Sequence, residues 1–208
     1  DKRIPIGIPA SQPIGIHCVH TCMRPKEMST SDTITESALR LFYRQGFHAS
    51  GVEQLSHEAG VTKKTLYRHF SSKEHLVEAA LQLRDTEFMR KIRDVVEGVS
   101  ELLRPLAYIE FIAAWVQEPD FHGCAFINAS AEYSGQTDQP HILAKQHKQQ
   151  VLAYLEDICT DAQLKQPFLA ARQLFLIGEG LIVTCQVNGP SEEILDSARD
   201  MVSMLTGK

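Results

Sequence analysis

The sequence predicts an all-α protein of about nine helices: a small N-terminal three-helix unit followed by a larger helical domain. Three observations predict it. From residue 33 onward, apolar residues recur at spacings of three, four and seven, the period of a helix with one buried face. Ser or Thr followed three residues later by an acid opens several of these stretches, and Gly or Pro closes or separates them. No stretch reads as a strand. The chain has 208 residues, 43% of them hydrophobic, enough to bury one large domain or a small one plus a larger one. The expected division is 1–28 as an extension, 29–80 as the small unit and 81–208 as the larger domain.

Residues 1–28 contain four prolines and repeat Pro-Ile-Gly-Ile at 5–8 and 13–16. That composition resists a helix, so a disordered or non-native extension is expected, ahead of a natural-looking start at Met28. Residues 4–23 lack charge and follow a basic residue, as a signal peptide does. Pro5, Pro9 and Pro13 break the stretch, however, and secretion is not expected. His17, Cys18, His20 and Cys22 are metal-ligand types, but structural zinc uses two separated clusters and this is one, so no metal or cofactor is assigned.

The first helix is expected to open at a Thr33–Glu36 capping box, bury Ile34, Ala38, Leu41 and Phe42, and stop at Gly46. A second runs from a Ser50–Glu53 box, with Val52, Leu55 and Ala59 on one face, to Gly60. Thr62 caps a third, pinned inward by Leu66 and Phe70. A long fourth helix from Ser72 carries Leu81, Phe88, Ile92, Val95 and Val99 on one side. Pro105 starts a fifth, apolar on nearly all faces to Val116, and a sixth spans Cys124–Tyr133. Residues 139–162 bury Val151, Leu152, Leu155 and Ile158, with Lys145, Lys148 and Glu156 in solvent. Pro167–Asn188 places Phe168, Ala171, Phe175, Gly178 and Cys185 in a stripe. Ser191–Leu205 does so with Ile194, Ala198, Met201, Val202 and Leu205.

The second and third helices carry the clearest chemistry. With Leu66 and Phe70 inward, Lys63, Lys64, Thr65, Tyr67, Arg68 and His69 point outward, and no acid occurs in 62–73. Lys and Arg neutralise phosphates, and Thr and Tyr hydroxyls hydrogen-bond them. A solvated basic helix face is the bland alternative. The net charge of −5 opposes DNA binding only on average, because the acidic excess lies after residue 83, where eleven Lys/Arg face eighteen Asp/Glu. A nonspecific DNA-coating protein would be basic overall.

Gly60-Val61-Thr62-Lys63-Lys64-Thr65-Leu66-Tyr67-Arg68-His69-Phe70-Ser71-Ser72-Lys73-Glu74 closely resembles the TetR family of bacterial transcriptional regulators, over residues 33–80. The resemblance implies a helix-turn-helix that reads a double-stranded operator, with Lys63, Lys64, Thr65, Tyr67, His69 and Lys73 at the DNA surface and Ser50 beside them. It also implies an effector held in the C-terminal helices and a homodimer.

Aromatic residues mixed with polar ones at 108–133 suggest a pocket for a small, mainly apolar effector, with Phe111, Trp115, Cys124, Asn128 and Glu132 as candidates; plain core is the alternative. Apolar stripes and glycines suggest a dimer interface of Phe175, Gly178, Leu181, Ile182, Ile194, Ala198, Met201 and Val202, although the same two helices could fold back on the core. Cys124, after Gly123 at a helix start and near His122, could instead sense oxidants. No phosphate loop, nucleophile elbow or His-Glu-x-x-His motif occurs, so no catalytic residue is assigned. Five scattered cysteines make no disulfide framework and suit a reducing cytoplasm, and no membrane span is expected. The reading is a ligand-responsive regulator, a repressor released from a palindromic operator by its effector. A redox-responsive regulator and a helical enzyme with an appended helix-turn-helix are the alternatives.

Overall fold

The computed structural model describes residues 28–207; the proline-rich extension and the His17–Cys22 cluster lie outside the described residues. Nine α-helices and one 3₁₀ turn occur among the described residues, with no strand: α1 (Thr30–Gln45), α2 (Val52–Glu58), α3 (Lys63–His69), α4 (Lys73–Val96), the 3₁₀ turn Glu101–Leu103, α5 (Arg104–Trp115), α6 (Ala125–Glu132), α7 (Gln139–Asp161), α8 (Pro167–Asn188) and α9 (Glu192–Thr206).

Local chemistry explains most boundaries, with two corrections. Helix α1 starts a turn earlier than expected, because Ser29 and Asp32, not Thr33 and Glu36, form the capping box: Ser29 Oγ accepts from the Asp32 N–H at 3.1 Å and Asp32 Oδ2 from the Ser29 N–H at 3.2 Å. Helix α2 is capped by Gly51 without a side-chain bond. Ser50 is 0% exposed and donates to Gly46 O at 2.7 Å, so its hydroxyl closes the α1–α2 turn instead of capping a helix. Thr62 caps α3 as expected, accepting from Thr65 N–H, and Ser72 caps α4, accepting from His75 N–H. Gly60, at φ +65°, allows the left-handed exit from α2, where Gly60 N–H reaches His57 O and Val61 N–H reaches Ser56 O.

Helix α4 runs along one continuous hydrophobic core. Its first turns bury Leu76, Val77, Ala80 and Leu81 against α1, and its later turns bury Phe88, Met89, Ile92 and Val96 against α5 and α7. The expected boundary at residue 80 therefore falls within one unbroken helix. Val95 is exposed and Val96 buried: after Ile92 the core contact advances four residues, where the sequence reading advanced three.

Helices α7 and α8 pack along their length, and α9 lies over α5 and α8. By length and composition α8 could cross a membrane, against the expectation of no such segment. Here it belongs to the helical core, with Ala171, Leu174, Leu181, Ile182 and Cys185 buried.

Candidate nucleic-acid interface and effector domain

Buried Leu55, Leu66 and Phe70 seat α2 and α3 on the N-terminal core. Lys63, Lys64, Tyr67, Arg68 and His69 are exposed, and Thr65 and Lys73 half-buried. Six of these seven lie on α3 and Lys73 opens α4, where its Nζ donates to His48 O at 3.1 Å. Ser50, expected beside them, is fully buried and cannot touch DNA in this conformation. The fold also adds an acid that the local sequence lacks. Glu53 on α2 pairs with Lys63, and that ammonium holds its carboxyl below the usual carboxylate range.

A clamp joins this unit to the rest of the chain, and sequence reasoning missed it. Glu132, at the end of α6, accepts from Phe47 N–H at 2.9 Å and His48 N–H at 2.6 Å, and meets His48 Nδ1 at 3.1 Å. Tyr43 on α1 donates to Gly123 O at 2.8 Å and accepts from His122 N–H at 3.1 Å. The Arg84 guanidinium on α4 lies over both the Tyr43 and Trp115 rings. The partners of Glu132 and Tyr43 are about eighty residues away in sequence, so no local pattern announces them.

The five expected effector residues do not line one cavity. Phe111 and Trp115, with Phe88, border a cleft of about 30 Å³, room for about one water. Glu132 is committed to the clamp. Asn128 donates to His122 O at 3.2 Å and accepts from Gln186 Nε2 at 3.1 Å. Cys124 is 3% exposed, with Lys148 Nζ at 3.4 Å from its sulfur. Lys148, expected in solvent, is drawn inward by Glu179 on α8 at 2.7 Å. A larger cleft, of about 260 Å³, opens between α4, α6 and α7.

Most of the expected dimer residues face inward. Leu181, Ile182, Ala198 and Val202 are buried and Phe175 partly so; Ile194 and Met201 alone of the eight are exposed. Gly178 does permit a close approach, but of Tyr108 from α5: a Cβ there would collide with the Tyr108 hydroxyl. The outward face of α8 is instead Leu176, Gly180, Val183 and Val187, at spacings of four, three and four, with open space at Gly180. Ile194, Met201 and Met204 continue it on α9. Leu176 is 68% and Met204 79% exposed, and a groove of about 670 Å³ lies between them.

Comparison with known proteins bears on the helix-turn-helix and on the fold. Residues 34–80 match the family described as "Bacterial regulatory proteins, tetR family". The chain is 40% identical over 68 residues to the HTH-type transcriptional activator FasR of Mycolicibacterium smegmatis, a match covering 33% of this chain and 28% of that protein. It spans between a quarter and two fifths of the length of the first curated relatives it matches. A TetR-family transcriptional regulator from Streptomyces coelicolor superposes with a TM-score of 0.77 at 26% identity, covering 86% of this chain and 94% of that one. AibR, solved with isovaleryl coenzyme A and operator DNA, shares the fold at a TM-score of 0.62 and 21% identity, covering 86% and 98%.

Proposed function

The chain belongs to the TetR family of bacterial transcriptional regulators and carries its DNA-binding helix-turn-helix, and on that premise we propose that it works as a homodimer on a palindromic operator and is released by a small effector. The observation that carries this reading is the surface of α3: basic and hydroxyl side chains, exposed or half-buried, on a helix of which only Leu66 is buried. Lys63, Lys64, Thr65, Tyr67, His69 and Lys73 are the proposed DNA surface. The two-fold axis supplies a second reading head for a half-site roughly 34–36 Å away, or a multiple of that.

The exposed stripe Leu176–Gly180–Val183–Val187, with Ile194, Met201 and Met204, is the proposed dimer face. It is apolar, continuous along two helices and indented at Gly180, as helix-on-helix association requires. Effector control is supported by the clamp, because its contacts tie α6 and the loop before it to α1 and the turn after it. AibR, bound to both an acyl-coenzyme A and DNA, illustrates that this fold has room for both kinds of partner. Repression is the simpler sense, since an occupied operator excludes other proteins without a further contact surface. A regulator acting on a bacterial chromosome would work in the cytoplasm.

The test is selection of DNA fragments by the purified protein from a random pool, followed by footprinting. Inverted half-sites about one helical turn apart are expected, with affinity falling steeply as salt rises. Absence of any enriched sequence overturns the reading. Transcription in vitro from a promoter bearing the selected site then gives the sign.

A second reading, oxidant sensing through Cys124, rests on one contact: a change at its sulfur would disturb Lys148 and so the Lys148–Glu179 pair joining α7 to α8. Peroxide should then weaken operator binding by the native protein and not by Cys124→Ser. Equal behaviour of the two removes this alternative.

A further inference from the structure

The cleft between α4, α6 and α7 contains none of the candidate site residues that the sequence singled out. Leu143 and Phe126 form an apolar floor, Gln82, Gln146 and Gln150 line it with neutral amides, and Asp85 is its one acidic or basic residue besides His147. Its volume, about 260 Å³, lies just below the roughly 300–1,000 Å³ of sites for drug-sized ligands. A small occupant is therefore required.

The charge in this cleft is unbalanced. Asp85 Oδ1 lies 2.6 Å from His147 Nδ1, and among the described residues no lysine or arginine pairs with Asp85. The His147 ring is buried, stacked on Phe126 at 3.7 Å between centroids and edge-on to Phe88 at 5.2 Å. Burial lowers its pKa despite the opposing hydrogen bond to Asp85. Near neutral pH it is therefore an uncharged donor that orients the carboxylate without cancelling its charge. Lys148, the nearby cation, is held by Glu179. The Asp85 side chain remains 29% exposed, so its second oxygen is open to a partner.

The geometry points to this cleft as the effector site, taking a small organic cation: an alkylammonium whose N–H groups donate to Asp85 and to neighbouring glutamine carbonyls while its hydrocarbon part lies on Leu143 and Phe126. This rests on the reading of the chain as an effector-controlled DNA binder, and it replaces the expectation of a mainly apolar effector at Phe111 and Trp115. Asp85 is well placed to signal. It sits one turn beyond Leu81 on α4, whose preceding turns form the core of the DNA-reading unit.

Calorimetry on the full chain tests the proposal, with hexylammonium, cyclohexylammonium and benzylammonium chlorides each paired with the alcohol of the same skeleton. At least one ammonium should bind about tenfold more tightly than its alcohol, a difference of about 1.4 kcal/mol. Asp85→Asn keeps an acceptor for His147 and should abolish that preference. Gln150→Lys, which places a tethered ammonium in the cleft, should block binding while leaving Asp85 in place. Equal binding of ammonium and alcohol, retention of the preference in Asp85→Asn, or no binding at millimolar concentration overturns the cation site. Operator affinity is measured in parallel. Binding through Asp85 that leaves operator affinity unchanged upholds the cation site and overturns effector control; failure of all binding with operator recognition intact overturns the cation site alone.

Discussion

The α2–α3 pair and the α8–α9 pair each turn one face to the core and one to the outside, and they differ in what the outward face is made of. On α3 it consists of Lys63, Lys64, Tyr67, Arg68 and His69, so a buried Leu66 and an exposed lysine cannot exchange places without a large desolvation cost. On α8 both faces are apolar: Leu174, Leu181 and Ile182 inside, Leu176, Val183 and Val187 outside. Hydrophobicity therefore tells inside from outside in the first pair and not in the second. Only the position of Tyr108 from α5 decides which glycine of α8 faces the core.

The two glycines give the largest expected effect and the sharpest test of that comparison. Gly178→Leu should overpack the contact with Tyr108 and cost about 1–3 kcal/mol or more, lowering Tm by about 2–4 °C per kcal/mol for a chain of this size. Gly180→Leu meets open space in the protomer and should leave its fold intact while breaking the dimer in sedimentation. A dimer lost in Gly178→Leu with Tm unchanged would reverse the assignment of the faces.

On the polar pair, Lys63→Ala and Thr65→Ala should relax base preference, each specific contact being worth roughly 1–3 kcal/mol. Tyr67→Phe and Lys73→Ala should weaken operator and random DNA alike. Binding curves for all four that match the native protein at moderate salt would mean that α3 is only a solvated face.

The junction between the regions should respond differently from either. Glu132→Ala leaves the Phe47 and His48 N–H groups without their acceptor, a loss of about 1–2 kcal/mol. It should also reduce the effect of any effector on DNA affinity, read as the ratio of operator affinities with and without that effector. An unchanged ratio would place the coupling elsewhere, on α4 alone. The smallest effect is expected at Glu53, an exposed partner of Lys63. Glu53→Gln frees that lysine and should tighten DNA binding slightly, a gain that disappears as salt rises; tightening that persists at high salt would point to a cause other than charge.

Much of this protein could be read before its structure was seen. The order and approximate limits of the helices followed from caps, glycines and apolar spacing, because these act over a few residues. The capping box of α1 was misplaced by one turn because Ser29–Asp32 and Thr33–Glu36 both satisfy the same short pattern, and only the emerging backbone chooses between them. The five effector candidates are dispersed for a different reason. An aromatic and polar mixture marks a pocket or a core equally well, and Glu132, Asn128 and Cys124 found partners inside the protein.

By itself, the sequence determined the all-helical fold and the basic residues that α3 turns outward, since local hydrogen bonds and the cost of burying charge leave few alternatives. Tertiary structure alone decided the rest: that Ser50 is sealed under the α1–α2 turn, that Glu132 clamps the reading unit, that Gly180 and not Gly178 is open, and that Asp85 and His147 meet across a cleft. Each of these depends on where a distant helix packs, and a helix with apolar residues on several sides can pack on any of them until its neighbours are in place.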